Sequence, residues 1–167
     1  SLPWLRLAPG GDGHPVLLLP GFGTGDAVLE PLRLFLRYRN YEAETWGLGR
    51  NRGFDRKYSE LVEQKVRYLH HVHQRRVSLV GYSLGGVFAF YAAHVAPECV
   101  RSAITLSSPL EIDPDQPALP GLRMMYRAFG QPYAVSTHHA RARSRAMQGP
   151  PPAPSTCIYS LSDALVS

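Results

Sequence analysis

Short apolar runs alternate with helical stretches along this chain, and that order constrains the fold more than any other feature. Val16-Leu17-Leu18-Leu19, closed by Pro20-Gly21, reads as a buried strand, and Tyr41 to Trp46 as a second. Val77-Ser78-Leu79-Val80 is the third, Ala103-Ile104-Thr105-Leu106 the fourth, and Cys157-Ile158-Tyr159 the fifth. Between the first two, Ala27 to Arg39 carries Leu29, Leu32, Phe35 and Leu36 at helical spacing. Asp26 is its expected N-cap, and Pro31 falls in the tolerated first turn. From Asp55, Tyr58, Leu61, Val62, Val66, Leu69 and Val72 recur every three or four residues, opposite Lys57, Glu60, Glu63, Gln64 and Arg67. Leu84 to Val95 is a third helix, rich in small residues and stopped by Pro97. Strand-helix alternation predicts an α/β domain: a mostly parallel sheet flanked by helices, spanning residues 1–167 as one domain. Right-handed crossovers then bring every strand-to-helix loop to one edge of the sheet. Residues Pro109 to Pro154 interrupt the alternation and read as a cap or lid inserted over that edge.

The chemistry concentrates at Gly81-Tyr82-Ser83-Leu84-Gly85, a Gly-x-Ser-x-Gly pattern between a strand and a helix. So sharp a turn forces the serine to positive φ, and the residues two before and two after it must lack side chains. The hydroxyl is then held above the sheet at the positive end of the helix. The bland alternative is a Ser-Gly turn whose hydroxyl caps that helix. A serine becomes a useful nucleophile when a base takes its proton and donors hold the developing oxyanion. The Leu84 amide, first in the helix, is one such donor. The second is expected from the Gly-rich loop after the first strand, Pro20-Gly21-Phe22-Gly23, where the Phe22 amide is the candidate.

Taken together, Leu17-Leu18-Leu19-Pro20-Gly21-Phe22, Trp46-Gly47-Leu48-Gly49-Arg50-Asn51, Val80-Gly81-Tyr82-Ser83-Leu84-Gly85-Gly86 and Tyr159-Ser160-Leu161-Ser162-Asp163 resemble the α/β-hydrolase superfamily. The likeness is to its bacterial lipase/esterase-like branch, in the family's order and across nearly the whole chain. Pro20-Gly21 stands where His-Gly is commoner. The resemblance implies Ser83 as nucleophile and an aspartate beyond the strand that contains Ile158, a position Asp163 fills. Asp113 and Asp115, after the fourth strand, are the fallback acids. It also implies a histidine after the acid, and the chain stops four residues beyond Asp163.

The seven histidines all lie upstream of that acid. His14 precedes the first strand, at the end of the sheet away from the elbow, while His70, His71 and His73 ride the long surface helix and His94 ends the next one. His138 and His139 fall in the insertion and could swing over the site. The expectation is that the catalytic histidine lies outside these residues. The chain begins Ser1-Leu2-Pro3-Trp4 without an initiator Met, which reads as processing or a fragment. Tested alone, it should hydrolyse esters poorly or not at all.

Composition removes several other classes. Hydrophobic residues are 44% of the chain, enough for a core, yet no apolar run nears the about 18 residues of a membrane span. Without a basic-then-apolar leader, a cytoplasmic location is expected. All but Lys57 and Lys65 of the 18 basic residues are Arg, giving a net charge of +5. His138 to Arg145 is the only dense basic stretch and has no stacking aromatics besides its histidines, so a solvated surface is expected and nucleic acid is not. Cys99 and Cys157 read as two free, buried thiols, and no metal-ligand spacing appears.

The remaining features leave alternatives open. Trp46 either shapes an acyl pocket or packs in the core, and Arg50 and Asn51 read as loop-capping residues. Leu122, Met124, Met125, Tyr126 and Phe129 form an apolar helical patch suited either to lid contact with acyl chains or to packing. The expected function is a carboxylic-ester hydrolase needing no cofactor, with a small-molecule or lipid ester as substrate. An acyltransferase on the same scaffold and a non-catalytic hydrolase-like binding domain are the rival readings.

Overall fold

A computed structural model describes residues 7–108, 110, 147 and 149–159. Its elements are β1 (Pro15–Leu19), α1 (Glu30–Tyr38), β2 (Glu42–Thr45), α2 (Arg56–His73), β3 (Val77–Tyr82), α3 (Leu84–Val95), β4 (Val100–Leu106) and β5 (Ser155–Ile158). The five strands form one sheet in the order β2-β1-β3-β4-β5, and every pairing is parallel. The α/β expectation therefore stands as observed, with strands a residue or three longer or shorter than the apolar runs alone suggested.

The strand order explains why the site lies where it does. From β1 the chain steps outward to β2, then crosses back over β1 to place β3 on its other side. Right-handed crossovers in opposite directions put α1 on one face and α2 on the other. The side chains of β1 record this: Leu17 and Leu19 join Val62, Val66 and Leu69 of α2 and Val87 and Phe88 of α3. Val16 and Leu18 instead meet Leu29, Leu32 and Leu36 beside α1. Leu17, Leu18 and Leu19 are completely buried, each worth about 2 kcal/mol. The direction of winding reverses between β1 and β3, and the C-terminal ends of two such strands are the usual ligand position in sheets of this kind.

Local sequence accounts for the helices. Asp55 caps α2, its Oδ1 accepting from the Tyr58 amide at 2.8 Å, and Gln74 ends it in a left-handed conformation. α3 is apolar nearly all round, as a helix packed between sheet and α2 must be. Asp26 corrects an expectation. It does not cap α1; it begins a short 3-10 turn, Asp26–Val28, and its Oδ1 accepts from the Gly47 amide across the loops at 3.4 Å. Leu29 stands at the N-cap of α1 and Pro31 in its first turn. Apart from its flanks, the 109–154 insertion, with Asp113, Asp115, the Met124-Met125 patch, His138 and His139, lies outside the described residues, as does Asp163.

Candidate active site

Ser83 joins the end of β3 to the start of α3 with φ 52° and ψ −120°, a conformation that costs a non-glycine residue about 1–3 kcal/mol. Packing on both sides holds it there. The Ser83 amide donates to the Leu106 carbonyl at 2.8 Å, and its carbonyl accepts from the Gly86 amide at 3.0 Å. A Cβ on Gly81 would land on the Gly85 carbonyl, and one on Gly85 would land on the Leu19 carbonyl. A third constraint comes from outside the Gly-x-Ser-x-Gly pattern: a Cβ on Gly86 would strike Ser108, which follows β4.

Ser83 occupies the N-cap position of α3 yet makes no side-chain capping bond. A serine serving only as a cap would spend its oxygen on the second or third amide of the helix. Here the half-buried side chain stands at the helix N-terminus, where the macrodipole is positive and the first turn carries no acidic residue. The Leu84 amide opens that helix directly beside it. The expectation of a strained elbow is met, and the capping alternative is not.

The loop after β1 abuts this elbow. A Cβ on Gly21 would stand 3.2 Å from the Ser83 Cβ and 3.3 Å from the Tyr82 carbonyl oxygen. Phe22 follows with its side chain in the main core. The Thr24 hydroxyl donates to the Gly21 carbonyl at 2.8 Å, and Gly23 takes φ 74°. A second loop, after β2, braces the first. Its Asn51 is completely buried, and its Nδ2 donates to the Pro20 carbonyl at 2.8 Å. The Asn51 carbonyl accepts from the Gly23 amide at 2.7 Å, and its amide donates to the Thr24 carbonyl at 2.8 Å. The sequence marks Asn51 as a capping residue of its own loop; its one further signal is its place in the Gly-Leu-Gly-Arg-Asn string.

Trp46 belongs to the core rather than to a pocket wall. It is 1% exposed, stacks on Tyr58 with ring centroids 5.5 Å apart, and donates from Nε1 to the Gly49 carbonyl at 2.9 Å. Cys99 is buried, which pushes its thiol pKa up, but Cys157 is exposed, correcting the expectation of two buried thiols.

The described histidines lie away from Ser83. His14 precedes β1, His70, His71 and His73 end α2, and His94 ends α3, so parallel topology places all five at the opposite edge of the sheet. His14 is engaged there. Its Nδ1 is hydrogen-bonded with Asp12 Oδ1 at 2.5 Å, and its Nε2 with the Ser78 hydroxyl at 2.9 Å. No group of three or more potential metal ligands occurs among the described residues, nor a helix long and apolar enough to cross a membrane.

Comparison with known proteins agrees with this geometry. A family model described as alpha/beta hydrolase fold matches residues 15–147. The chain is 30% identical over 114 residues to a pimeloyl-[acyl-carrier protein] methyl ester esterase of Shewanella woodyi, covering 67% of this chain and 43% of that protein. It is 30% identical over 101 residues to the esterase of the same name from Aliivibrio salmonicida, covering 59% and 37%. The chain thus spans less than half the length of these curated relatives. Among solved structures, a putative aryl esterase from Burkholderia cenocepacia superposes with a TM-score of 0.58 at 20% identity, covering 95% of this chain and 76% of that one. With an elbow at Ser83, a parallel sheet of this order and a family match over most of its length, the chain belongs to the α/β-hydrolase fold family.

Proposed function

We propose that this chain carries the nucleophile and oxyanion site of a serine hydrolase that cleaves carboxylic esters. Ser83 Oγ attacks the ester carbonyl while its proton passes to a histidine base, and the carbonyl oxygen becomes an oxyanion between the Phe22 and Leu84 amides. Collapse of that intermediate breaks the bond to the alcohol, which leaves with the proton from the base. Water, deprotonated by the same base, then releases the acid and restores Ser83. Asp163 orients the histidine and stabilises its cation. In this reading residues 1–167 form one hydrolase domain, with 109–154 as its lid.

The observation that carries the reading is the positive φ of Ser83, whose side chain caps nothing, beside a Gly-rich loop in near contact with it. The two curated relatives are named esterases, which favours an ester carbonyl over other electrophiles. The test uses the full-length protein that contains this chain. A fluorophosphonate probe should label Ser83, and Ser83→Ala should abolish both labelling and p-nitrophenyl ester turnover. Unaltered turnover in Ser83→Ala would overturn the assignment.

A further inference from the structure

We infer that Asn51 is the positioning residue of the oxyanion loop, an inference that rests on the hydrolase reading above. Every polar group of this residue is used. Three bonds go to Pro20, Gly23 and Thr24, and Oδ1 accepts the fourth, from the Gly53 amide at 3.1 Å. A fully buried primary amide is costly unless so satisfied. What matters for catalysis is where the three bonds fall. They grip the loop on both sides of Gly21-Phe22 and leave that pair between them. Asn51 thus holds the Pro20–Gly21 and Phe22–Gly23 peptide planes, one on each side of the plane that carries the Phe22 N–H, and through the Thr24 carbonyl it seats the residue that binds that middle plane.

The loop needs such a brace. Gly21, Gly23 and Gly25 leave its backbone with little preference of its own. An oxyanion donor lowers the barrier only when it is aimed before charge develops, because reorientation during the reaction would consume the gain. Neither β1 nor β3 can aim it, since both have ended. Asn51 stands on the loop from β2, which is itself anchored through Trp46 to the Gly49 carbonyl and so to the core. Rigidity passes from the aromatic cluster, through Asn51, to the loop. The Thr24 hydroxyl and amide both donate to the Gly21 carbonyl, at 2.8 and 3.2 Å, and so hold the plane of the Phe22 N–H directly; the amide bond survives loss of the hydroxyl.

The experiment is run on the full-length protein, with active sites counted by fluorophosphonate titration and p-nitrophenyl butyrate as substrate. Asn51→Ala should lower kcat per titrated site about 10- to 100-fold, with KM changed less than about two-fold. The Ki of an alkyl boronic acid, which becomes tetrahedral on Ser83 and fills the oxyanion site, should rise by the same factor. Asn51→Asp keeps the shape and the Gly53 contact but loses the donor to Pro20, and should move the same way. Half-buried Thr24→Val should give a smaller loss, about three-fold, in kcat and boronate affinity together, and it carries the test should the Asn51 variants fail to fold. A purely structural role would lower Tm and the titratable fraction while leaving kcat per site and boronate Ki unchanged; that result, or a change confined to KM, overturns the inference. Ser83→Ala in parallel separates the two claims. If it abolishes turnover while the Asn51 and Thr24 variants behave as wild type, only the positioning role falls; if it retains turnover, both fall.

Discussion

Gly85, two residues beyond Ser83, lies so close to the carbonyl of Leu19 that a single methyl group on its Cα would occupy the same space. The first turn of α3 is thereby seated against the end of β1, which brings the start of that helix and the loop after β1 to one point. Gly81 is pressed in the same way against the Gly85 carbonyl. The elbow is thus a stack of backbone on backbone, with no room for side chains between its layers.

Gly81→Ala and Gly85→Ala should each destabilise the protein by about 3 kcal/mol, because backbone rather than a movable side chain must give way. Urea unfolding of the purified variants measures this. A cost below about 1 kcal/mol at both positions would mean that the elbow relaxes freely.

Ser83→Gly should have the opposite effect on stability. Glycine adopts φ near 52° without the Cβ clash, so unfolding free energy should rise by about 1 kcal/mol while fluorophosphonate labelling vanishes. Stability gained together with activity lost is the signature of strain kept for function.

Asp12 predicts a pH dependence. Hydrogen bonding to His14 foremost, and also to Arg101, holds its carboxyl well below the usual carboxylate range. A group whose pKa is depressed by folding adds stability that is complete above its unfolded value, about 4, and fades as pH falls toward the folded value. Thermal unfolding of Asp12→Asn should therefore lie below wild type at neutral pH, and the two curves should converge progressively below about pH 4. A constant offset across that range would refute the ion-pair origin.

Asp55→Ala removes the side-chain cap on the Tyr58 amide at the start of α2. The expected loss is about 1 kcal/mol by urea unfolding, with little change in p-nitrophenyl ester turnover, since the bond removed ties only the first turn of α2.

The elements and the strained elbow at Ser83 were legible in the sequence because their causes are local. Val77–Val80, Gly81, Ser83 and Gly85 lie within nine residues, and the steric demands of the turn act between immediate neighbours. Asp55 was legible as a helix start for the same reason. Asp26 had equally good local credentials as a cap, yet its carboxylate turned to Gly47, because β1 and β2 are parallel neighbours whose C-terminal loops lie side by side. Gly86 owes its lack of a side chain to Ser108, at the far end of the next strand.

What the sequence alone determined was the alternation of strands and helices and the strained serine between two glycines. The strand order and the use of Asn51 as a brace came only with tertiary structure. Asn51 and Pro20 are 31 residues apart and are joined by one bond at 2.8 Å. Spacing along a chain carries no trace of such a bond; it exists because the crossover through α1 sets β1 and β2 parallel and side by side, so that the loops at their C-terminal ends meet at the same edge.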